Sequence, residues 1–218
     1  MMKSAASQNT DGEHKEPLSA DPKSRPETLE RRAEILRAAT QVFAAKGFAN
    51  ATLAEVAELC GITRAGVLHH FGSKRNLLIE TLKFRDARGL SSERTVPLPS
   101  GRAMFDHLIE TAFLNMDRKG IVQAFVVLSA ESVTEDSPAK EYFYDRYRIL
   151  RAEIAENVMA LGASQNLGEK EANFLASSIM AVMDGLQIQW LLSPDAVNLA
   201  EASQFAIRAL VDGALPQT

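Results

Sequence analysis

Between Thr52 and Lys74 the chain signals three helix starts and two stops. That spacing leaves room only for short helices joined by sharp turns. Thr52-Leu53-Ala54-Glu55 has the pattern of a capping box, in which the threonine oxygen accepts from a free amide and the glutamate reaches back. Leu53, Val56, Ala57 and Cys60 then share one helical face. Gly61 tolerates the positive φ of a tight turn, and the small Ala57 four residues earlier lets two helices approach. Thr63 caps the next helix, Arg64 to His70; Phe71 and Gly72 close it, and Ser73 caps another. Ile62 and Val67 are placed to plug the angle between the pair. This is helix-turn-helix spacing, a unit that sets the start of its second helix against base edges in the DNA major groove.

The rest of the chain predicts helices as well. Residues 1–25 hold almost no large apolar side chain and read as a disordered tail. From Pro26 the apolar positions Ile35, Ala39, Val42 and Phe43 mark one helix face, ended by Gly47. Leu77, Leu78, Thr81 and Leu82 mark the helix after Ser73. Residues 90–101, with Pro97, Pro99 and three serines, read as a linker. Five longer helices are expected near 102–118, 121–134, 138–162, 169–192 and 196–213. The expectation is therefore an all-α chain of about nine helices. Residues 26–89 are expected to form a helix-turn-helix DNA-binding domain, and residues 102–214 a larger helical domain.

Charge is unevenly spread. The net charge is -4, yet residues 27–90 carry 10 Lys/Arg against 7 Asp/Glu, and residues 91–218 carry 10 against 17. An anionic partner is thus admitted at one end only. The single cysteine, Cys60, excludes an internal disulfide and a cysteine-based metal cluster, and reads as a small core residue. With no apolar leader and no unbroken apolar run of spanning length, the expectation is a cytoplasmic protein without a membrane partner. Nucleophile elbow, P-loop, Rossmann glycines and Glu-x-x-His pairs are all missing, so no enzyme, catalytic residue, cofactor or metal is expected.

Residue types assign roles within 52–74. Arg64, near the start of the second helix, can fork onto guanine O6 and N7. Thr63 can bond phosphate or a base, or serve only as the cap. Gly66 has no side chain to read with and admits close approach of a backbone. His69 and His70 project about 100° apart, which suits phosphate contacts and not a shared metal. Lys74 and Thr52 each sit at a helix N-terminus, where free amides and the dipole already favour a phosphate.

The runs Thr52-Leu53-Ala54-Glu55-Val56-Ala57 and Gly61-Ile62-Thr63-Arg64-Ala65-Gly66-Val67-Leu68-His69-His70-Phe71-Gly72-Ser73-Lys74 resemble the DNA-binding signature of the TetR family, over about residues 30–80. One departure is Leu68, where that family usually has a tyrosine that packs against the DNA backbone or a thymine methyl. The resemblance implies a homodimer on a double-stranded, near-palindromic operator, acting as a ligand-responsive regulator, a repressor released by a small-molecule effector. The alternative is a helical ligand-binding dimer that no longer binds DNA.

Helix 169–192 is apolar nearly all round and needs burial on more than one face. Paired with the last helix, it offers a four-helix dimer interface in which Met183, Trp190 and Phe205 are candidates, with plain core packing as the competing reading. The resemblance further implies an effector pocket among the C-terminal helices. Phe105, Phe113, Phe125, Tyr147, Met180 and Gln187 are candidate lining residues, each of which can equally be core.

Overall fold

A computed structural model describes residues 24–86, 98–162 and 167–215. Among the described residues every regular element is an α-helix: α1 Ser24–Asn50, α2 Leu53–Leu59, α3 Arg64–Phe71, α4 Lys74–Asp86, α5 Ala103–Met116, α6 Lys119–Glu131, α7 Lys140–Gly162, α8 Glu169–Leu192 and α9 Leu199–Ala214. The expected tail lies outside the described residues as far as residue 23, and so does the expected linker from 90 to 97.

The four short N-terminal helices follow from their caps. Thr52 and Glu55 form the full capping box at α2. The α2–α3 turn is a Schellman motif: Ile62 N–H donates to the Ala57 carbonyl at 3.0 Å and Gly61 N–H to that of Glu58 at 3.1 Å, with Gly61 at φ 63°. Thr63 caps α3, and Ser73 Oγ accepts from Asn76 N–H at 3.0 Å to cap α4. Ile35, Val42 and Phe43 of α1 are buried against Val56, Val67, Leu77 and Leu78.

This apolar cluster does not stop at α4. It continues into Phe125 and Leu128 of α6 and Phe143 of α7, so α6 packs along α1. Gly47 explains how the two fit. Its backbone (φ 69°, ψ -176°) breaks α1 three residues before the end. An unbroken helix would pair the Phe48 N–H with the Ala44 carbonyl. Here Glu131 Oε2 accepts from Phe48 N–H at 2.7 Å, and Gln123 Nε2 donates to the Ala44 carbonyl at 3.1 Å. Both α6 side chains lie on one face, eight residues apart.

A second cluster joins α5, α7, α8 and α9 through residues such as Leu108, Ile154, Ile179 and Ile207, all fully buried. By length and composition α8 could cross a membrane, but it packs between α7 and α9 and buries Ala172, Ala176 and Ile179 as a core helix does. Two expected starts differ. α7 begins at Lys140, two residues past Pro138, and α9 begins at Leu199 because Asn198 Oδ1 accepts from Glu201 N–H at 3.2 Å and is the working cap.

Candidate DNA-binding surface

The helix α3 buries one face and offers the other. Val67 and Phe71 are buried, whereas Thr63, Arg64, Ala65 and His69 are exposed. Thr63 Oγ1 accepts from Gly66 N–H at 3.1 Å, which leaves its hydroxyl proton free to donate outward. Arg64 is exposed at the first turn of α3, and no hydrogen bond or ion pair to another described residue occupies it. Beside it Gly66 has room: a Cβ there would meet Ile62 Cδ1 and Thr63 Oγ1 at 3.6 Å, an ordinary contact. The free protein therefore does not require glycine at this position.

His69 and His70 follow on the last turn, with ring centroids 5.6 Å apart in an edge arrangement. Burial, followed by the charges of His69, Arg32 and Arg31, holds the His70 imidazole below its ordinary pKa. It is neutral at pH 7 and offers one N–H. Leu68 is half-buried against the head's core, so the residue at the family's tyrosine position packs inward.

The helix ends beside α3 hold Thr52 and Lys74. The Thr52 hydroxyl both accepts from Glu55 N–H at 3.3 Å and donates to Glu55 Oε2 at 2.8 Å. Its proton must leave Glu55 before it can serve a phosphate. Hydrogen bonds from Lys46 and then from Thr52 hold the Glu55 carboxyl down at about 2. Lys74 rests with its ammonium 4.4 Å from the centre of the Phe48 ring and donates to the Ala49 carbonyl at 3.3 Å.

Arg32, which the sequence reading overlooked, sets the attitude of α3. Its guanidinium donates to the His70 carbonyl, lies 4.3 Å from the Phe71 ring centre and reaches Glu80 of α4 at 3.4 Å. One side chain of α1 thus ties the end of α3 to the middle of α4. No local pattern signals it, because its partners lie 38 to 48 residues away.

The expected pocket residues are divided between the two apolar clusters and the surface. Phe105 and Met180 are buried in the C-terminal cluster, and Phe125 is buried in the N-terminal one, 5.3 Å from Phe143 and under the Arg85 guanidinium at 3.7 Å. Tyr147 borders both clusters and donates to Asp184 Oδ2 at 2.6 Å. Burial, and then the Asp184 charge, push the Tyr147 hydroxyl's pKa up; burial likewise raises that of Asp184. Gln187 is buried with its Oε1 unpartnered, while Phe113 faces outward at 47% exposure.

Of the interface candidates, Met183 and Trp190 are buried within the protomer, and Phe205 is 78% exposed. Phe174, Ile188 and Leu192 of α8 are also exposed. Among the described residues no group of His, Cys, Asp and Glu could hold a metal.

Known proteins share the sequence pattern and the helical fold. Residues 35–81 match the family described as bacterial regulatory proteins, tetR family, and residues 101–216 match the BetI-type transcriptional repressor C-terminal domain. The chain is 31% identical over 196 residues to the HTH-type transcriptional regulator TtgR of Pseudomonas putida, covering 79% of this chain and 86% of that one. It is 25% identical to the HTH-type transcriptional regulator BetI of Brucella abortus, over 79% of this chain and 85% of that one. In fold it superposes on NalD of Pseudomonas aeruginosa, the secondary repressor of the MexAB-OprM multidrug efflux pump, with a TM-score of 0.70 at 19% identity, covering 88% of this chain and all of that one. An exposed α3 start on a capped helix-turn-helix, joined to a helical body that matches a repressor domain, makes this chain a member of the TetR family of transcriptional regulators.

Proposed function

We propose that α3 is the recognition helix, with Arg64 as the base reader and Thr52, Thr63, His69, His70 and Lys74 as contacts to the sugar-phosphate backbone. The exposed, unoccupied Arg64 at the first turn of a helix whose opposite face is buried carries this reading. Gly66 admits the DNA backbone or a base edge close to α3. Leu68 packs inward, so the backbone grip falls to the histidines and to Lys74.

The regulator acts as a homodimer in the cytoplasm, where its operator lies. Residues 26–89 serve as the head, 90–101 as the linker and 102–214 as the body. The exposed apolar side chains Phe174, Ile188, Leu192 and Phe205 of α8 and α9 support pairing with a second copy through those helices. A small, mostly apolar effector binds the body and releases the operator by favouring one arrangement of the heads. The half-buried Tyr147–Asp184 pair and the unpartnered Gln187 oxygen supply polar groups for such a ligand.

A gel-shift scan of the DNA flanking the gene, with purified dimer at low salt, tests this. One fragment should shift with steep salt dependence. Arg64→Ala should cost roughly 1–3 kcal/mol at one base position. An equal loss on unrelated DNA would remove Arg64 from the role of reader, and no shift on any fragment would favour the ligand-binding dimer that has lost DNA.

A further inference from the structure

The break in α1 brings three residues of different helices into one chain of contacts. Glu131, at the end of α6, accepts the Phe48 N–H at 2.7 Å. The Phe48 ring carries the Lys74 ammonium at 4.4 Å, and the same ammonium donates to the next carbonyl, Ala49, at 3.3 Å. The bond to Glu131 thus fixes the peptide whose side chain and neighbour hold Lys74 in place. Glu131 belongs to the body by sequence, 83 residues from Phe48, and does not belong to the helix-turn-helix. Gly47 completes the fit: a Cβ there would collide with the Glu131 carboxylate, and its φ of 69° is one that L side chains rarely adopt.

We infer that Glu131 is a positioning residue for operator binding, acting through Phe48 to hold the Lys74 ammonium where it meets a DNA phosphate. The inference rests on the proposed phosphate contact of Lys74. A lysine left free has a four-carbon stem to order on binding, whereas one seated on a ring and a carbonyl arrives with much of that ordering done. A shift of α6 moves Glu131, and with it the seat, so the body can alter one phosphate contact without touching α3. Gln123, eight residues earlier on α6, donates to the Ala44 carbonyl on the other side of the break, so the same shift reaches both flanks.

The test is a salt titration of operator affinity for the full-length dimer, with the promoter fragment that shifts in the gel as probe. Lys74→Ala removes one phosphate contact per protomer. It should flatten the slope of log K against log salt by about two per dimer, with affinity falling roughly five- to tenfold at moderate salt. Glu131→Ala should flatten the slope by a similar amount, and Lys74→Ala with Glu131→Ala together should do no more than Lys74→Ala alone. Glu131→Gln keeps an acceptor oxygen and should retain most of the original slope. A merely structural role would lower the melting temperature and leave the slope unchanged. Should Glu131→Ala not give a folded dimer, Glu131→Leu, which fills similar space without an acceptor, takes its place, and Phe48→Leu tests the ring as the seat.

The inference is overturned if Glu131→Ala and Phe48→Leu leave the slope at its original value, or if the effects of Glu131→Ala and Lys74→Ala multiply. An unchanged slope in Lys74→Ala itself overturns it from the other side, by removing the phosphate contact on which it rests.

Discussion

The Arg32 guanidinium donates to the carbonyl of His70, so α1 holds the last turn of α3 by its free C-terminal end. A helix terminus leaves several carbonyls unpaired, and a cation there meets both the carbonyl and the negative end of the dipole. The same guanidinium covers the Phe71 ring and reaches Glu80. Arg32→Lys keeps the charge but cannot make the planar stack and the fork together. We expect a loss of about 1–2 kcal/mol in urea unfolding and weaker operator binding with unchanged base preference. An altered base preference would mean that Arg32 reads DNA directly.

Gly66 separates stability from function. Because a Cβ fits at 3.6 Å from its neighbours, Gly66→Ala should stabilise the free protein by about 0.5–1 kcal/mol through helix propensity. Where DNA approaches that surface, the methyl group should weaken operator binding. Thermal melts and gel shifts on the same preparation test both halves; tighter binding would show that no part of the DNA comes close to Gly66.

Glu55 predicts acid sensitivity at the start of α2. Its carboxyl titrates at about 2 in the folded protein against 4.5 without its partners, held down first by Lys46 and then by Thr52. A lowered folded value means stability that is fully present above 4.5 and lost as the pH falls towards 2. The stability difference between the parent and Glu55→Gln should be flat above pH 5 and shrink through that window. A difference that persists at pH 2 would place its origin outside the carboxylate.

Tyr147 and Asp184 give the opposite sign. Burial raises the Asp184 pKa, and the Tyr147 hydroxyl bond, followed by the charges of Arg146 and Arg85, opposes the rise. A folded value above the unfolded one favours folding at low pH and takes stability away as pH rises through the folded value. Tyr147→Phe removes the donor, so Asp184 should titrate still higher and stability should fall more steeply with pH. Carboxyl chemical shifts followed through a pH titration would show it; a downward move would contradict the assigned hydrogen bond.

Phe205 tests the mode of pairing. It stands 78% exposed on α9, beside Gln204 and Arg208. Phe205→Glu should shift the chain towards monomer in sedimentation while leaving its helical content intact. It should also weaken operator binding, because half-sites would then be bound singly. A dimer of unchanged stability would move the interface off this face of α9.

Legibility in the sequence followed the range of the contacts. The capping box of Thr52 and Glu55, the turn at Gly61 and the caps at Thr63 and Ser73 are all made within six residues, so the sequence alone located them. The break at Gly47 was legible as a stop, but not the α6 side chains that bond its flanks, because Glu131 lies 83 residues from Phe48. Apolar periodicity announced that α8 must be covered on more than one side. It could not tell that Trp190 is covered within the protomer while Ile188, two residues away, stays exposed. The pocket residues show the same limit: Phe105 and Phe125 look alike in sequence, yet they belong to different clusters.

The two unions across the α1 break, Gln123 with Ala44 and Glu131 with Phe48, bear on how such proteins exchange specificity. A chimera cut just after α4 would carry this head to a foreign body without the two α6 side chains that seal its first helix. A transfer of this head must therefore take α6 along, or restore both seals in the new body.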